Sequence, residues 1–119
     1  MFGEYFLELG NEKHLIEYRL ILNPNGTFIF HSYTNHEAGI PPIANKYGKG
    51  TWAADGKVVS LLSNREIDFD EKHTLDLSNS RARFITKPSR DKTDRIIKTR
   101  LKFFDSEIAW IKGMEIFKK

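Results

Sequence analysis

The sequence predicts an all-β fold: an antiparallel up-and-down meander of eight to ten strands, closing into a β-barrel or a strongly curled sheet. Three observations carry this. Short runs rich in Ile, Val, Phe, Tyr and Thr recur between turn residues, and no helical-period segment of useful length interrupts them. Asn25-Gly26 and Asp55-Gly56 are hairpin dipeptides, because Asn, Asp and Gly tolerate the positive φ of tight turns. Almost every connection is short enough to join sequence neighbours, and closing such a meander removes its exposed edges.

Taken in order, Phe2 to Leu9 reads as the first strand and His14 to Leu22 as the second. Asn23-Pro24-Asn25-Gly26 turns the chain into Thr27 to Thr34. Asn35 to Lys46 reads as a long connection, since the adjacent Pro41 and Pro42 cannot sit in a central strand. Tyr47 to Ala54 resumes a strand, with Gly48 and Gly50 marking a bulge or bend, and Lys57 to Leu62 follows Asp55-Gly56. Asn64 to Lys72 is acidic and fits a short turn or one helical turn. His73 to Leu77 and Arg81 to Thr86 read as a pair joined at Ser78-Asn79-Ser80. Lys87 to Lys92 is a polar loop, Ile96 to Phe104 a strand, and Asp105-Ser106 a turn. Glu107 to Lys112 and Met114 to Phe117 close the chain around a bend at Gly113.

The side-chain period of two sets the phase. Ile16, Tyr18, Leu20 and Leu22 share one face, opposite Glu17 and Arg19. Ala82 and Phe84 face the core with Arg81 and Arg83 outside, and Thr99, Leu101 and Phe103 face it with Lys98, Arg100 and Lys102 outside.

The chain of 119 residues is one domain, 1–119, long enough for a real core. It has no cysteine, which excludes disulfides, thiolate metal sites and cysteine nucleophiles. An apolar fraction of 39% and a charged fraction of 29% are those of a globular chain, and no apolar run reaches a membrane span's length. The net charge of +3 hides an asymmetry: residues 1–80 balance to −4 and residues 81–119 to +7. Nine basic residues fall between Arg81 and Lys102. No signal peptide or lipid-anchor motif is visible. Met1 is compatible with a natural start, placing the chain in the cytoplasm, or with a removed export signal, placing it in the cell envelope or outside.

Several hairpins resemble a known pattern. Leu22-Asn23-Pro24-Asn25-Gly26-Thr27-Phe28, the pair Gly48-Lys49-Gly50-Thr51-Trp52 and Gly56-Lys57-Val58-Val59-Ser60-Leu61, and the opening Gly3-Glu4-Tyr5 resemble small bacterial lipocalin-like domains. The resemblance implies a calycin-type barrel, often exported and of unknown role. It carries over no binding residue, and the Cys-x-x-Cys of members resembling a copper-responsive envelope lipoprotein is absent. About eight strands leave an interior just wide enough for side chains or one small ligand.

No catalytic, phosphate-loop or dinucleotide motif is present. His31 and Ser32 are adjacent and so face opposite sides of a strand, which argues against a nucleophilic pair. His14, His31, His36 and His73 lack metal-ligand spacing, although His31, His36 and Glu37 are near enough in sequence to approach one another. Glu66, Asp68, Asp70 and Glu71 lack the glycine of a calcium loop and read as a solvated acidic edge. The expectation is therefore a non-enzymatic domain without metal or cofactor. Two working surfaces compete. One is a cavity for a small apolar or amphipathic molecule, lined by Phe28, Phe30, Tyr33, Tyr47, Trp52 and Trp110 under a lid containing Ile40, Pro41 and Pro42. The other is a filled barrel whose outer basic face binds an acidic protein, an anionic lipid surface or a polyanion. That face would use Arg81, Arg83, Lys98, Arg100 and Lys102, with Lys87, Arg90 and Lys92 in the neighbouring loop. Nucleic acid is disfavoured, because Phe84 and Phe103 fall on the face opposite the arginines.

Overall fold

The computed structural model describes residues 1–11, 13–39, 42–86 and 98–119. Eight strands run in order: β1 (Gly3–Asn11), β2 (His14–Leu22), β3 (Thr27–His36), β4 (Ile43–Asp55), β5 (Val58–Leu62), β6 (Ser80–Ile85), β7 (Arg100–Asp105) and β8 (Glu115–Lys118). Each is antiparallel to its sequence neighbour, and β8 returns to β1 to close a barrel. The glycines of both hairpin dipeptides take positive φ, +87° at Gly26 and +59° at Gly56, but Asn25 and Asp55 do not; Asp55 ends β4 opposite Val58, so the second turn is Gly56-Lys57. At the first, Gly26 N–H donates to Asn23 O at 3.1 Å and Asn25 Oδ1 accepts the Thr27 N–H at 3.1 Å.

The predicted alternation builds a filled interior. Tyr5, Leu20, Leu22, Phe28, Phe30, Val59, Leu61, Leu77, Ala82, Leu101, Phe103, Ile111, Met114 and Ile116 are buried together in one cluster. Gathering these side chains out of water is the main stabilising term, about 1.5–3 kcal/mol for each large one. Tyr5 sits at 0% exposure, its hydroxyl donating to the Met1 carbonyl, and burial pushes its phenol up to about 12.

Three segments depart from the sequence reading. Strand β4 starts at Ile43, inside the expected connection Asn35 to Lys46. Pro42 contributes its carbonyl to the β3–β4 turn, where it accepts the His36 N–H at 2.7 Å, so a proline at this position costs the ladder nothing. His73 to Leu77 is not a strand; only His73 bridges, in parallel, to Tyr47. The segment 63–79 instead forms a strap. Ser63 Oγ donates to Lys49 O at 3.0 Å, and Ser78 Oγ donates to Ser63 O at 2.9 Å. Its buried Leu77 lies over Gly48, where an added Cβ would come within 2.9 Å of Leu77 Cδ1. At Gly50 a Cβ would meet the Leu62 carbonyl at 2.0 Å. Neither glycine has positive φ; both are demanded by close approach of backbone and side chain. Finally, Glu107 to Lys112 is a turn, with Ile111 N–H donating to Ile108 O at 3.0 Å. Ile108 and Ile111 share its inner side, and Gly113 ends it at φ +90°.

The barrel is lopsided. Strands β1 to β4 have 9, 9, 10 and 13 residues, whereas β5 to β8 have 5, 6, 6 and 4. The long strands therefore extend past the short ones as a four-stranded flap. Its inner face continues the core rows as Leu7–Tyr18–Ser32–Lys46 and Leu9–Ile16–Thr34–Ala44. The seam is short: β1 ladders with β8 at Tyr5–Lys118 and Phe6–Phe117, and Lys119 N–H donates to Glu4 O beside them.

Candidate functional site

The base of the flap's inner face brings aromatic, hydroxyl and ammonium groups together. Tyr18 comes inward from β2, and Trp110 is carried over it by the β7–β8 turn, whose buried Ile111 fixes the neighbouring backbone. The two rings stack at 5.5 Å with planes 16° apart, and Phe30 lies 6.1 Å from Trp110 at the top of the core. Trp110 is still 39% exposed. Beside the pair, toward β3 and β4, lies a recess of about 260 Å³ lined by Tyr18, Ser32, Thr34, Ala44, Lys46 and Trp110. Thr34 Oγ1 makes only a long 3.4 Å bond to Ala44 O, and no carboxylate pairs with Lys46 among the described residues. Burial raises the Tyr18 phenol above its ordinary value, so the ring is neutral at physiological pH. An aromatic platform beside two hydroxyls and an ammonium can hold a flat or apolar body with an anionic head.

The expected cavity residues divide. Phe28 and Phe30 fill the core, and Trp52 packs against it with Nε1–H donating to Asn23 O at 2.8 Å, locking the hairpin. Tyr33 and Tyr47 stand on the outer wall and do not face the barrel interior, because they alternate with inward Ser32 and Gly48. There Tyr47 stacks on His31 at 4.4 Å and carries Lys72 Nζ at 4.6 Å. Pro42 is exposed at the flap tip, while Ile40 and Pro41 lie outside the described residues. Of the predicted set, the structure brings Phe30 and Trp110 together. Tyr18, Ser32, Thr34 and Lys46 join them; alternation alone puts Tyr18 inside, but its pairing with Trp110 depends on a turn read as strand.

The predicted basic face is on the outer wall, as its phase requires, and much of it is already paired. Arg81 binds Asp105 at 2.8 Å, while Arg100 and Lys102 lie 3.2 and 3.8 Å from the Glu115 carboxylate. The Arg100 Nε contact is close in distance but not aligned as a hydrogen bond. Arg81 and Arg83 also sit over the Phe104 ring at 5.2 and 5.9 Å. The Arg81 guanidinium holds the Asp105 carboxyl below the usual range. Lys98 is exposed, and Lys87, Arg90 and Lys92 lie outside the described residues.

Histidines and carboxylates serve local structure. His31 and His36 do not approach; they point to opposite faces of β3, and His36 lies 4.5 Å from His14 instead. Asp70 accepts N–H bonds from Lys72 and His73 and touches the His73 ring, which together hold its carboxyl far below the ordinary value. Asp76 is raised by burial, but bonds from Ser78 and the charge of Arg65 outweigh this and lower it. No group of three metal-ligating side chains converges among the described residues, and there is no helix among them long and apolar enough to cross a membrane. Compared with protein-family models, curated proteins and solved structures, the chain matches none.

Proposed function

We propose that this chain is a non-enzymatic binding module, taking one small amphipathic anion at the open end of its barrel rather than in its centre. The observation that carries the reading is the half-exposed Tyr18–Trp110 stack beside Ser32, Thr34 and Lys46. The packed core leaves the deep interior to side chains, so a ligand meets protein at the mouth. A lipocalin-like identity is consistent with the eight-stranded up-and-down closure, and it contributes no residue to this site. The basic outer face is the weaker candidate, since Asp105 and Glu115 already engage three of its five described cations.

Anilinonaphthalene sulfonate, an anionic amphipathic dye, tests this when titrated against tryptophan emission. We expect one site and a quench that disappears in Trp110→Phe but persists in Trp52→Phe. Removing one charge-assisted contact costs about 1.5 kcal/mol, so Lys46→Ala weakens the anionic dye about tenfold. The same change should leave neutral Nile red nearly unaffected. No uptake, or uptake indifferent to both Trp110 and Lys46, would overturn the reading.

A further inference from the structure

On the other side of Trp110 the barrel wall is open, and carboxylates line the gap. Lys119 N–H donates to Glu4 O at 2.9 Å, so by the period of two the polar backbone groups of Glu4, Phe6 and Glu8 point toward β8. Phe6 pairs with Phe117. The next rung would join Glu8 to Glu115, and it is not made. Glu8 already lies opposite Glu17 across β2, in a rung of the closer, non-hydrogen-bonded kind. Closing the wall one step further would place Glu8 between two carboxylates, and like charges directly opposite are destabilising. On the other edge of β8, Glu115 faces Lys102 in β7 and engages Arg100 and Lys102. The Glu8 N–H and C=O have no backbone partner on this edge among the described residues. Where the wall parts, a cleft of about 460 Å³ opens, with Leu7, Leu9, Trp110 and Met114 among its apolar lining and Glu115 on its rim.

We propose that this edge of β1 receives an extended segment of a partner protein in which basic and apolar residues alternate. An added antiparallel strand would bond to the Glu8 backbone, as strand addition does at exposed edges. Its residue opposite Glu8 would point outward and supply a positive charge, and among the described residues neither Glu8 nor Glu17 is in an ion pair. Its flanking residues would point inward onto Leu7, Leu9 and Trp110. The same charges reject a second copy of this chain: β1 pairing with itself about Glu8 sets carboxylate against carboxylate.

The test uses the full chain and three seven-residue peptides: alternating valine and lysine, the same composition with the lysines grouped, and alternating valine and glutamate. A fourth peptide carries N-methyl groups on the amides that would face β1. We expect saturable binding of the first peptide, with slowed amide exchange at Glu8, and at least tenfold weaker binding of the other three. Glu8→Lys should lose the lysine peptide while remaining folded, since it only places a cation opposite Glu17. Lys46→Ala, which weakens the anionic dye, should not alter peptide binding, so failure of the small-ligand reading and failure of this one are separable. The proposal is overturned if the alternating lysine peptide does not bind, or if N-methylation leaves its affinity unchanged. Concentration-dependent dimerisation that protects Glu8 would likewise overturn it in favour of a second copy.

Discussion

The two halves of the barrel are made of the same strands and differ in what their inner faces meet. In the closed half, β4 offers Gly48 and Gly50 inward, because Leu77 and the Leu62 carbonyl occupy the space a side chain would need. In the flap, the same face of the same strand carries Lys46 and Ala44, because the short strands opposite have ended. The closed half buys stability with dispersion and area; the flap keeps polar and aromatic groups available at little energetic gain. One strand can thus serve as core wall and as binding surface, with the change made where its partner across the barrel stops.

The sharpest test of this division is a pair of truncations. Phe28→Ala, in the core, should cost about 3–5 kcal/mol. Leu9→Ala, on the flap at 47% exposure, should cost less than about 1 kcal/mol. Urea unfolding of both measures the contrast, and similar losses would mean that the flap is as structural as the core. Next comes Gly50→Ala. The new Cβ must displace a carbonyl, so about 1–3 kcal/mol or more should be lost, whereas Ala44→Ser on the same face of β4 should be nearly neutral. The smallest effect is acid sensitivity of the strap. Asp70 and Asp76 are held below their ordinary values, so what they contribute is present above about pH 4, where they would ionise unfolded, and is lost as pH falls through their folded values. The melting temperature should therefore fall below about pH 4, and Asp70→Asn should fall less steeply over that interval.

Much of this arrangement was legible in the chain. Gly26 and Gly56 mark two hairpins locally, the second one residue later than the dipeptide suggests, and alternation around Leu20, Phe28, Ala82 and Leu101 identifies the buried faces. What escaped depended on distant neighbours. Residues 107–112 lack polar alternation, and their turn is decided by where Ile111 must be buried. Leu75 and Leu77 keep a strand's period without a strand's partners, since the strap packs on glycines. Aromatic character suggests Tyr33 and Tyr47 for a cavity, whereas parity with Phe28, Phe30 and Gly48 puts them outside. The Tyr18–Trp110 stack and the unmade rung at Glu8 are properties of register, which no single stretch of sequence contains.

The slight seam also orders events in time. The ladders β1–β2, β2–β3 and β3–β4 join sequence neighbours over long registers, so they can zip from their turns with little loop-closure entropy. The β1–β8 junction must bring together Phe6 and Phe117, with nearly the whole chain between them, for two paired positions. We expect it to be the last ladder to form and the first to part, which amide exchange would show as earlier loss of protection at Phe6 and Phe117 than along β2 and β3. An early-opening species would expose the edges of β1 and β8 at once, which makes this seam the place where crowded, partly folded chains would first cross-pair.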